Sequence, residues 1–478
     1  MRCTLVSHST AQAQHACGDH PPSQNGYVMK QTQWLFSLLV LLLPVTTFAQ
    51  ATTEIQLGPY LYETKPDHPA FEGFHPRKAP QPGPLLLEKG DRLAICGDSI
   101  TEQKMYSNII ETYLTACVPQ LEITVRQYGW SGEKTDGFLR RMKKDCLTFN
   151  PTVATLCYGM NDSRYRPFDV TNGQWYEDHY RAIVREFKAN DVKVVLGSPG
   201  CAGKLAHWVK SRSGSLMHHN ITLCALRDIA IGVAQEENVR FADVFWPMYQ
   251  AHVFAPQQHH ATEQKPYHVA GNDGVHPDWA GQVVMAYAFL RSMGLDGDIG
   301  TIEVDLSNSK ATASEGHTVD SLTDGELQLT STRYPFCATG DQHSHKTIRS
   351  GMTLIPFDEQ LNRLTLVVKN GAAEKYQLTW GSETKSFRAE QLAKGINLAA
   401  EFHNNPFKDA FDHVFQTCRE KQNYETEQVK RKFHSPEGRD NFESVVKQTE
   451  SVRQPLADAI ANSVKPVTHT LKIESINE

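Results

Sequence analysis

The sequence predicts an α/β fold: a five-stranded parallel sheet within residues 88–296, followed by a small antiparallel β module and a helical hairpin. Two observations support this prediction. Short apolar runs alternate with amphipathic helical stretches up to residue 296, which is the pattern of βαβ units. The apolar runs are nearly continuous, as in strands whose two faces are both covered by helices.

Composition excludes several classes of protein. The 478 residues are 40% hydrophobic, close to the globular average, which argues against a disordered or fibrous chain. The 48 Lys and Arg residues against 54 Asp and Glu give a formal charge of −6. Because this weakly acidic balance offers no general attraction to nucleic acid, we expect no nucleic-acid partner.

The N-terminal region carries an export signal. The apolar run Trp34–Leu43 is too short for a membrane span, which needs about 20 residues. A basic residue, Lys30, precedes it and small residues follow at 48–51, so we predict a cleavable signal peptide over residues 29–51 and a periplasmic or extracellular protein without stable membrane insertion. The alternative is an uncleaved anchor. Residues 1–28 are interpreted as a gene-model extension, because a signal normally begins near the true N-terminus.

The ten cysteines do not predict a metal or redox site. Two of them, Cys3 and Cys17, fall in the interpreted extension, and none of the ten forms a C-x-x-C pair. Export permits disulfides, but one sequence leaves their pairing open.

The elements of the α/β domain follow in regular order. Residues 52–87, rich in Pro, Gly and His, predict an extended lead-in along the surface. Strands are predicted at 92–96, 123–128, 153–158, 192–197 and 239–244. Helices are predicted around 103–117, 134–147, 173–190, 216–237 and 278–293.

After residue 300 the pattern changes twice. Residues 301–400 hold isolated strand-like pieces separated by polar turns, which predicts a small antiparallel β module. Residues 401–478 are predicted to be helical, because apolar residues recur at helical spacing on both sides of a break at residues 435–438. Both apolar stripes are expected to pack on the α/β domain.

Polar and glycine residues follow the predicted strands, where parallel sheets bind ligands. A Ser hydroxyl needs a base to become a nucleophile, a carboxylate must orient that base, and an oxyanion needs hydrogen-bond donors. Each short peptide alone is common in turns and helix caps. All four occur in order, which makes the combination specific: Gly97-Asp98-Ser99, Trp130-Ser131-Gly132, Gly159-Met160-Asn161-Asp162 and Asp273-Gly274-Val275-His276.

Together these four blocks resemble the SGNH hydrolase superfamily, the GDSL esterases and lipases. The resemblance implies a flavodoxin-like three-layer α/β/α fold for the predicted α/β domain, and it implies no metal and no cofactor. The β module and the helical region lie outside it. The implied site consists of Ser99 as nucleophile, His276 as base, Asp273 as its orienting carboxylate, and oxyanion donors from the Ser99 amide, the Gly132 amide and the Asn161 side chain.

The predicted function is that of a secreted serine esterase, which acts through an acyl-enzyme and deacetylates a small or polymeric carbohydrate ester. A lipid or aryl ester is the alternative substrate within the same fold. Aromatic rings suit sugar faces, although half or more of those near the site are expected in the core. The aromatic candidates are Trp130, Tyr158, Tyr165, Trp208, Tyr267 and Trp279.

Two other classes stay open at this point. A metal-dependent hydrolase could use some of the 21 histidines, such as His218-His219, His259-His260 or His268 with Asp273, although no H-E-x-x-H spacing is present. A non-catalytic carbohydrate-binding protein could share the fold, since fold alone does not establish activity. The sequence does not predict an oligomeric state.

Overall fold

The first five strands form one sheet in the computed structural model, which describes residues 60–338 and 340–476. They are β1 Arg92–Gly97, β2 Thr124–Gln127, β3 Val153–Cys157, β4 Lys193–Gly197 and β5 Arg240–Ala242. Their order is β2-β1-β3-β4-β5, and every neighbouring pair is parallel. This is the strand order of flavodoxin-like folds, so the predicted fold class is confirmed.

Helices connect the strands and cover both faces of the sheet. In chain order they are α1 Ser99–Glu102, α2 Tyr106–Ala116, α3 Thr135–Asp145, α4 Val170–Lys188, α5 Leu216–Glu236, α6 Phe245–Gln258 and α7 Trp279–Ser292. Alternate residues of β1 enter different apolar clusters: Leu93 and Ile95 pack with α2 and α7, whereas Ala94 and Cys96 pack with α3 and α4. The strands are therefore apolar throughout because both of their faces are buried.

Two features of this domain differ from the sequence prediction. Helix α6 was not predicted, because it contains Pro256 and buries residues all around its first turns instead of along one stripe. The lead-in does not simply follow the surface, since Phe71 and Phe74 are fully buried against Trp246 and Tyr249. Large aromatic rings gain more by burial than by exposure.

The β module contains two further sheets and short helices. Its strands, in chain order, are β6 Asp298–Asp305, β7 Lys310–Ala313, β8 His317–Thr323, β9 Glu326–Ser331, β10 Arg363–Lys369, β11 Lys375–Trp380, β12 Glu383–Arg388, β13 Ile396–Asn397 and β14 Val467–Ser475. The sheet orders are β13-β10-β6-β7 and β12-β11-β14-β9-β8. All these pairings are antiparallel except that of β10 with β6. The short helices are α8 Ile348–Met352, α9 Phe357–Gln360, α10 Ala389–Lys394 and α11 Leu398–Glu401.

The C-terminal region forms a helical hairpin, as predicted, but it does not end as a helix. Its helices are α12 Lys408–Glu427, a π-helical turn Gln428–Phe433, α13 Pro436–Asp440 and α14 Phe442–Ala461, and α12 packs on both α14 and α2. The prediction of helix over 401–478 is wrong at β14, which pairs with β9 and β11. His469, Leu471 and Ile473 are buried at alternate positions, a strand period that the helical interpretation overlooked.

The N-terminal predictions fall outside the residues that the structure describes, whereas most of the cysteines lie within them. The gene-model extension (1–28) and the signal peptide (29–51) lie outside the described residues and stay predictions. All eight cysteines within the described residues are free and buried. Across residues 60–338 and 340–476, the structure contains no helix with the length and apolar character of a bilayer span.

Candidate active site

Ser99 lies just beyond the carboxyl end of β1, the second strand in the order of the five-stranded sheet, and begins α1. The Asp98 carboxylate caps this helix by accepting a hydrogen bond from the Ile100 amide at 2.9 Å. Glycine at position 97 lets α1 fold back closely onto the end of β1, because a Cβ there would lie 2.0 Å from the Thr101 hydroxyl oxygen. The turn therefore presents Ser99 at the edge of the sheet where the other predicted blocks also end.

The structure brings Ser99, His276 and Asp273 together. His276 Nε2 lies 2.8 Å from Ser99 Oγ, and His276 Nδ1 lies 2.8 Å from Asp273 Oδ2. The other Asp273 oxygen accepts hydrogen bonds from the amides of Val275 and His276, each at 2.9 Å. Partial burial alone would raise the pKa of Asp273, but these hydrogen bonds bring it below its usual value, so this carboxyl is ionised at neutral pH.

The two other predicted oxyanion donors lie on the neighbouring loops. Gly132 has φ +73°, and the Trp130 amide of its loop donates to the Gly97 carbonyl at 3.0 Å. Asn161 Nδ2 donates to Asp98 and to the Glu133 carbonyl, each at 3.2 Å. Asn161 therefore bridges the turn that carries Ser99 and the loop that carries Gly132.

The same part of the chain matches a known protein family. Residues 95–284 match the model of the GDSL-like lipase/acylhydrolase family. These residues form a GDSL-like hydrolase domain. The domain is that of a carboxylic ester hydrolase.

Comparison with other proteins extends the likeness of fold beyond this domain. No curated protein matches the sequence. A gut microbial diltiazem-metabolizing enzyme (BT4096) is 22% identical with a TM-score of 0.65, and the match covers 83% of this chain and 100% of that one. An acetylxylan esterase, Axe2 of Geobacillus stearothermophilus, is 21% identical with a TM-score of 0.35 over 44% of this chain and 97% of its own. A putative GDSL-like lipase of Parabacteroides merdae is 23% identical with a TM-score of 0.35, and the match covers 44% of this chain and 99% of that one.

Two buried carboxyl groups flank Asn161 in the GDSL-like domain. Asp162 accepts hydrogen bonds from the amide and hydroxyl of Thr135, at 2.9 and 2.8 Å, and from the Gly159 amide at 3.0 Å. Burial raises the pKa of Asp162 to about 6 and that of Asp98 to about 7. Asp162 thus joins the loop after β3 to the start of α3 and fixes the backbone on either side of Asn161.

A buried ion pair supports the loop of Gly132 from below. Arg141 donates two hydrogen bonds of 2.7 Å to the Glu133 carboxylate, which also accepts one of 2.9 Å from the Tyr158 hydroxyl. Paired, planar contacts of this kind fix orientation as well as position. The residue that follows Gly132 is therefore held rigidly, and Tyr158 is part of the scaffold.

The predicted aromatic residues divide into core and surface. Tyr267 is buried against Ser350, and Trp279 packs on Phe415. Tyr165 is buried as well, but its hydroxyl donates to Asn161 Oδ1 at 3.1 Å. Trp208 is different, because it is 42% exposed and its ring lies 5.7 Å from that of His276 at an angle of 28°.

The histidines considered as metal ligands have other partners. His219 Nε2 bonds the Ser163 hydroxyl at 2.9 Å, and His259 Nε2 lies 3.2 Å from the Thr353 hydroxyl. Within the part of the chain that the structure describes, no three His, Cys, Asp or Glu side chains are placed to hold a metal ion.

Sequence reasoning missed one contributor to this site. Glu102, the last residue of α1, accepts hydrogen bonds from the amide and hydroxyl of Ser131 and from Lys430 of the C-terminal region. No local pattern marks these residues, since Glu102 and Lys430 are 328 positions apart.

Proposed function

We propose that the chain is an exported serine esterase that removes an acetyl group from a carbohydrate through an acyl-enzyme. The observation that carries the reaction type is the continuous hydrogen-bonded series from Ser99 through His276 to Asp273. Ser, His and Asp in this arrangement support nucleophilic acyl transfer on several unrelated folds.

In the proposed reaction, Ser99 Oγ attacks the ester carbonyl while His276 Nε2 takes its proton. The negative charge that develops on the carbonyl oxygen is stabilised by the amides of Ser99 and Gly132 and by Asn161 Nδ2. His276 then donates the proton to the departing alcohol, and water hydrolyses the acyl-enzyme by the reverse sequence. Asp273 keeps the proton on Nδ1 of the imidazole, so that Nε2 is free to accept the proton of Ser99.

The substrate proposal is supported by Trp208. Because His276 Nε2 protonates the leaving alcohol, that alcohol must lie beside the imidazole. The exposed Trp208 ring stands there, and an aromatic face with a polar surrounding suits the apolar face of a sugar ring. The same ring would accept an aromatic alcohol, which makes an aryl ester the second candidate.

The reaction is tested with acetylated xylo-oligosaccharides, p-nitrophenyl acetate, tributyrin and diltiazem, each incubated with wild type, Ser99→Ala and Ser451→Ala. Ser451 is an exposed serine of α14 and serves as the control. We expect Ser99→Ala to lose at least a thousandfold in kcat while Ser451→Ala keeps wild-type rates. Full activity in Ser99→Ala would refute the serine mechanism. Preferred hydrolysis of tributyrin would refute the carbohydrate proposal.

The role of Trp208 is tested with a matched aromatic control. Phe168 is 41% exposed, almost as exposed as Trp208 at 42%. We expect Trp208→Ala to raise KM for an acetylated sugar about five- to tenfold, as loss of a stacking contact of about 1 kcal/mol predicts, and to leave ethyl acetate unaffected. Phe168→Ala should change neither substrate. Equal effects of Trp208→Ala on both esters would contradict the alcohol assignment.

Export is tested separately by expressing the chain with and without residues 29–51 and fractionating the cells. We expect the intact chain outside the cytoplasm with a new N-terminus after residue 49 or 51. Retention of the intact chain in the cytoplasm would refute this part of the proposal.

A further inference from the structure

One lysine of the C-terminal region reaches the GDSL-like domain beside its nucleophile helix. Lys430 lies in the π-helical turn Gln428–Phe433, and its Nζ donates to the two carboxylate oxygens of Glu102 at 2.8 and 2.9 Å. Their side chains are only 24% and 19% exposed. Glu102 ends α1, the four-residue helix that begins with Ser99. The ion pair therefore joins the C-terminal region to the helix of the nucleophile.

The same carboxylate holds the loop of Gly132. Glu102 Oε2 accepts hydrogen bonds from the Ser131 amide at 2.5 Å and from the Ser131 hydroxyl at 2.6 Å. Lys430 Nζ also lies 5.2 Å from the centre of the Trp130 ring, and the centres of the Trp130 and His434 rings are 5.0 Å apart with their planes at 78°. Both residues that precede Gly132 are thus held by side chains from the C-terminal region or by Glu102.

The loop depends on these contacts because its tip has little packing of its own. Ser131 and Gly132 are exposed, and apart from Gly132 and its two chain neighbours no described residue has an atom within 4 Å of the position that a Cβ on Gly132 would occupy. Glycine at positive φ adopts many conformations at low cost, so its neighbours must determine where its amide points. Ser131 on one side and the buried Glu133 on the other are the fixed points.

We propose that Lys430 is a positioning residue for ester hydrolysis: through Glu102 it orients the Gly132 amide toward the oxyanion. This inference rests on the proposed function. Lys430 also neutralises Glu102, whose uncompensated negative charge would otherwise lie against the loop that carries the Gly132 amide and would oppose the developing oxyanion. Loss of Lys430 therefore destabilises the transition state in two ways, by misorienting the Gly132 amide and by leaving the Glu102 charge unpaired. Neither effect concerns the binding of the alcohol beside Trp208.

The first test compares kcat and KM for p-nitrophenyl acetate in Lys430→Met, Lys430→Arg and Arg431→Gln. Loss of a whole oxyanion donor costs about a hundred- to a thousandfold in kcat, so we expect a misaligned donor to cost about tenfold in Lys430→Met with KM unchanged within twofold. Lys430→Arg should restore most of kcat, because a guanidinium can also bind both carboxylate oxygens. Arg431→Gln is the control on the same turn, since Arg431 is 78% exposed and its guanidinium pairs with Glu427, not with Glu102.

A double-mutant cycle tests whether Lys430 acts through Glu102. The double variant Lys430→Met/Glu102→Gln should lose no more in kcat than the larger single loss, because both changes break one connection. If Lys430→Met does not fold, as judged by thermal unfolding, Ser131→Ala removes the hydroxyl contact at an exposed position and should lower kcat in the same direction by a smaller factor.

The outcomes separate this inference from the proposed function. Activity that survives Ser99→Ala would refute both. If Ser99→Ala abolishes activity but Lys430→Met keeps the wild-type kcat or changes only KM, the positioning role alone is refuted. Additive losses in the double variant would likewise overturn the connection through Glu102.

Discussion

Replacing Asp273 by Asn tests the geometry of the site most directly. One Asp273 oxygen accepts two backbone hydrogen bonds at 2.9 Å, from Val275 and His276, and the other faces His276 Nδ1 at 2.8 Å. In Asp273→Asn the amide oxygen must keep the backbone contacts, because only an acceptor fits there. The amide nitrogen then faces Nδ1 and donates to it, which moves the imidazole proton to Nε2. In that tautomer His276 cannot take a proton from Ser99.

The size of the loss follows from the exposure of the pair. An Asn in place of a buried triad Asp costs about 10⁴ in kcat. The side chains of Asp273 and His276 are 34% and 27% exposed, so water can reach them and partly restore the productive tautomer. We therefore expect a loss of about 10³ in kcat, or roughly 4 kcal/mol at about 1.36 kcal/mol for each factor of ten. Because the backbone contacts of the turn persist, the melting temperature should stay within about 2 °C.

The assay is steady-state hydrolysis of p-nitrophenyl acetate alongside thermal unfolding, with Asp278→Asn as the matched control. Asp278 is also 34% exposed and belongs to the same segment, but its side chain pairs with His345 at 3.5 Å and not with His276. We expect the control to keep kcat within about twofold. A kcat of Asp273→Asn within tenfold of wild type would refute the assignment of Asp273 as the residue that sets the tautomer.

Three further predictions concern stability and metals. Burial raises the pKa of Asp98 from 3.8 to about 7, so between these pH values the folded chain holds a proton that the unfolded chain has lost, and the free energy of unfolding falls as pH rises. Asp98→Asn removes this titration, so its free energy of unfolding in urea should rise by about 2–3 kcal/mol relative to that of wild type from pH 5 to pH 8. Plots of the free energy of unfolding against pH that run parallel for the two proteins would contradict this. Arg141→Met should lower the free energy of unfolding by about 3–5 kcal/mol, because it leaves the buried Glu133 carboxylate without its ion-pair partner. A loss under about 1 kcal/mol would contradict this and show that water takes the place of the Arg141 guanidinium. Dialysis against EDTA should leave ester hydrolysis unchanged; activity that is lost and then restored by zinc would revive the metal-dependent alternative.

The parallel sheet and the meeting of the site blocks could be predicted because both follow from local patterns. Apolar runs bounded by turn residues fixed the five strands, and the carboxyl ends of parallel strands meet at one edge. That rule is enough to bring Ser99 to His276, 177 residues further along the chain. The roles of these residues in catalysis stay predictions until the variants are measured.

What could not be predicted depends on contacts distant in the chain. Nothing around Glu102 or Lys430 marks them as partners, since each is an ordinary charged residue of a helical stretch. Burial also decided between aromatic residues that look equivalent in sequence: Tyr158 serves the Glu133 ion pair, whereas Trp208 is exposed beside His276. Propensity and spacing carry no information about such tertiary partners.

The position of β14 has a consequence for how this chain assembles. β14 comes after every other described strand but lies between β9 and β11, and its residue Thr468 pairs with Thr330, 138 positions earlier. During synthesis, therefore, β8 with β9 and β11 with β12 leave the ribosome as two separate hairpins, each with an unpaired edge. Such edges template association with other chains until they are covered. Among the described strands, the one translated last is thus the one that joins the two hairpins into one sheet, and a chain arrested before residue 467 leaves the ribosome with both edges available for aggregation.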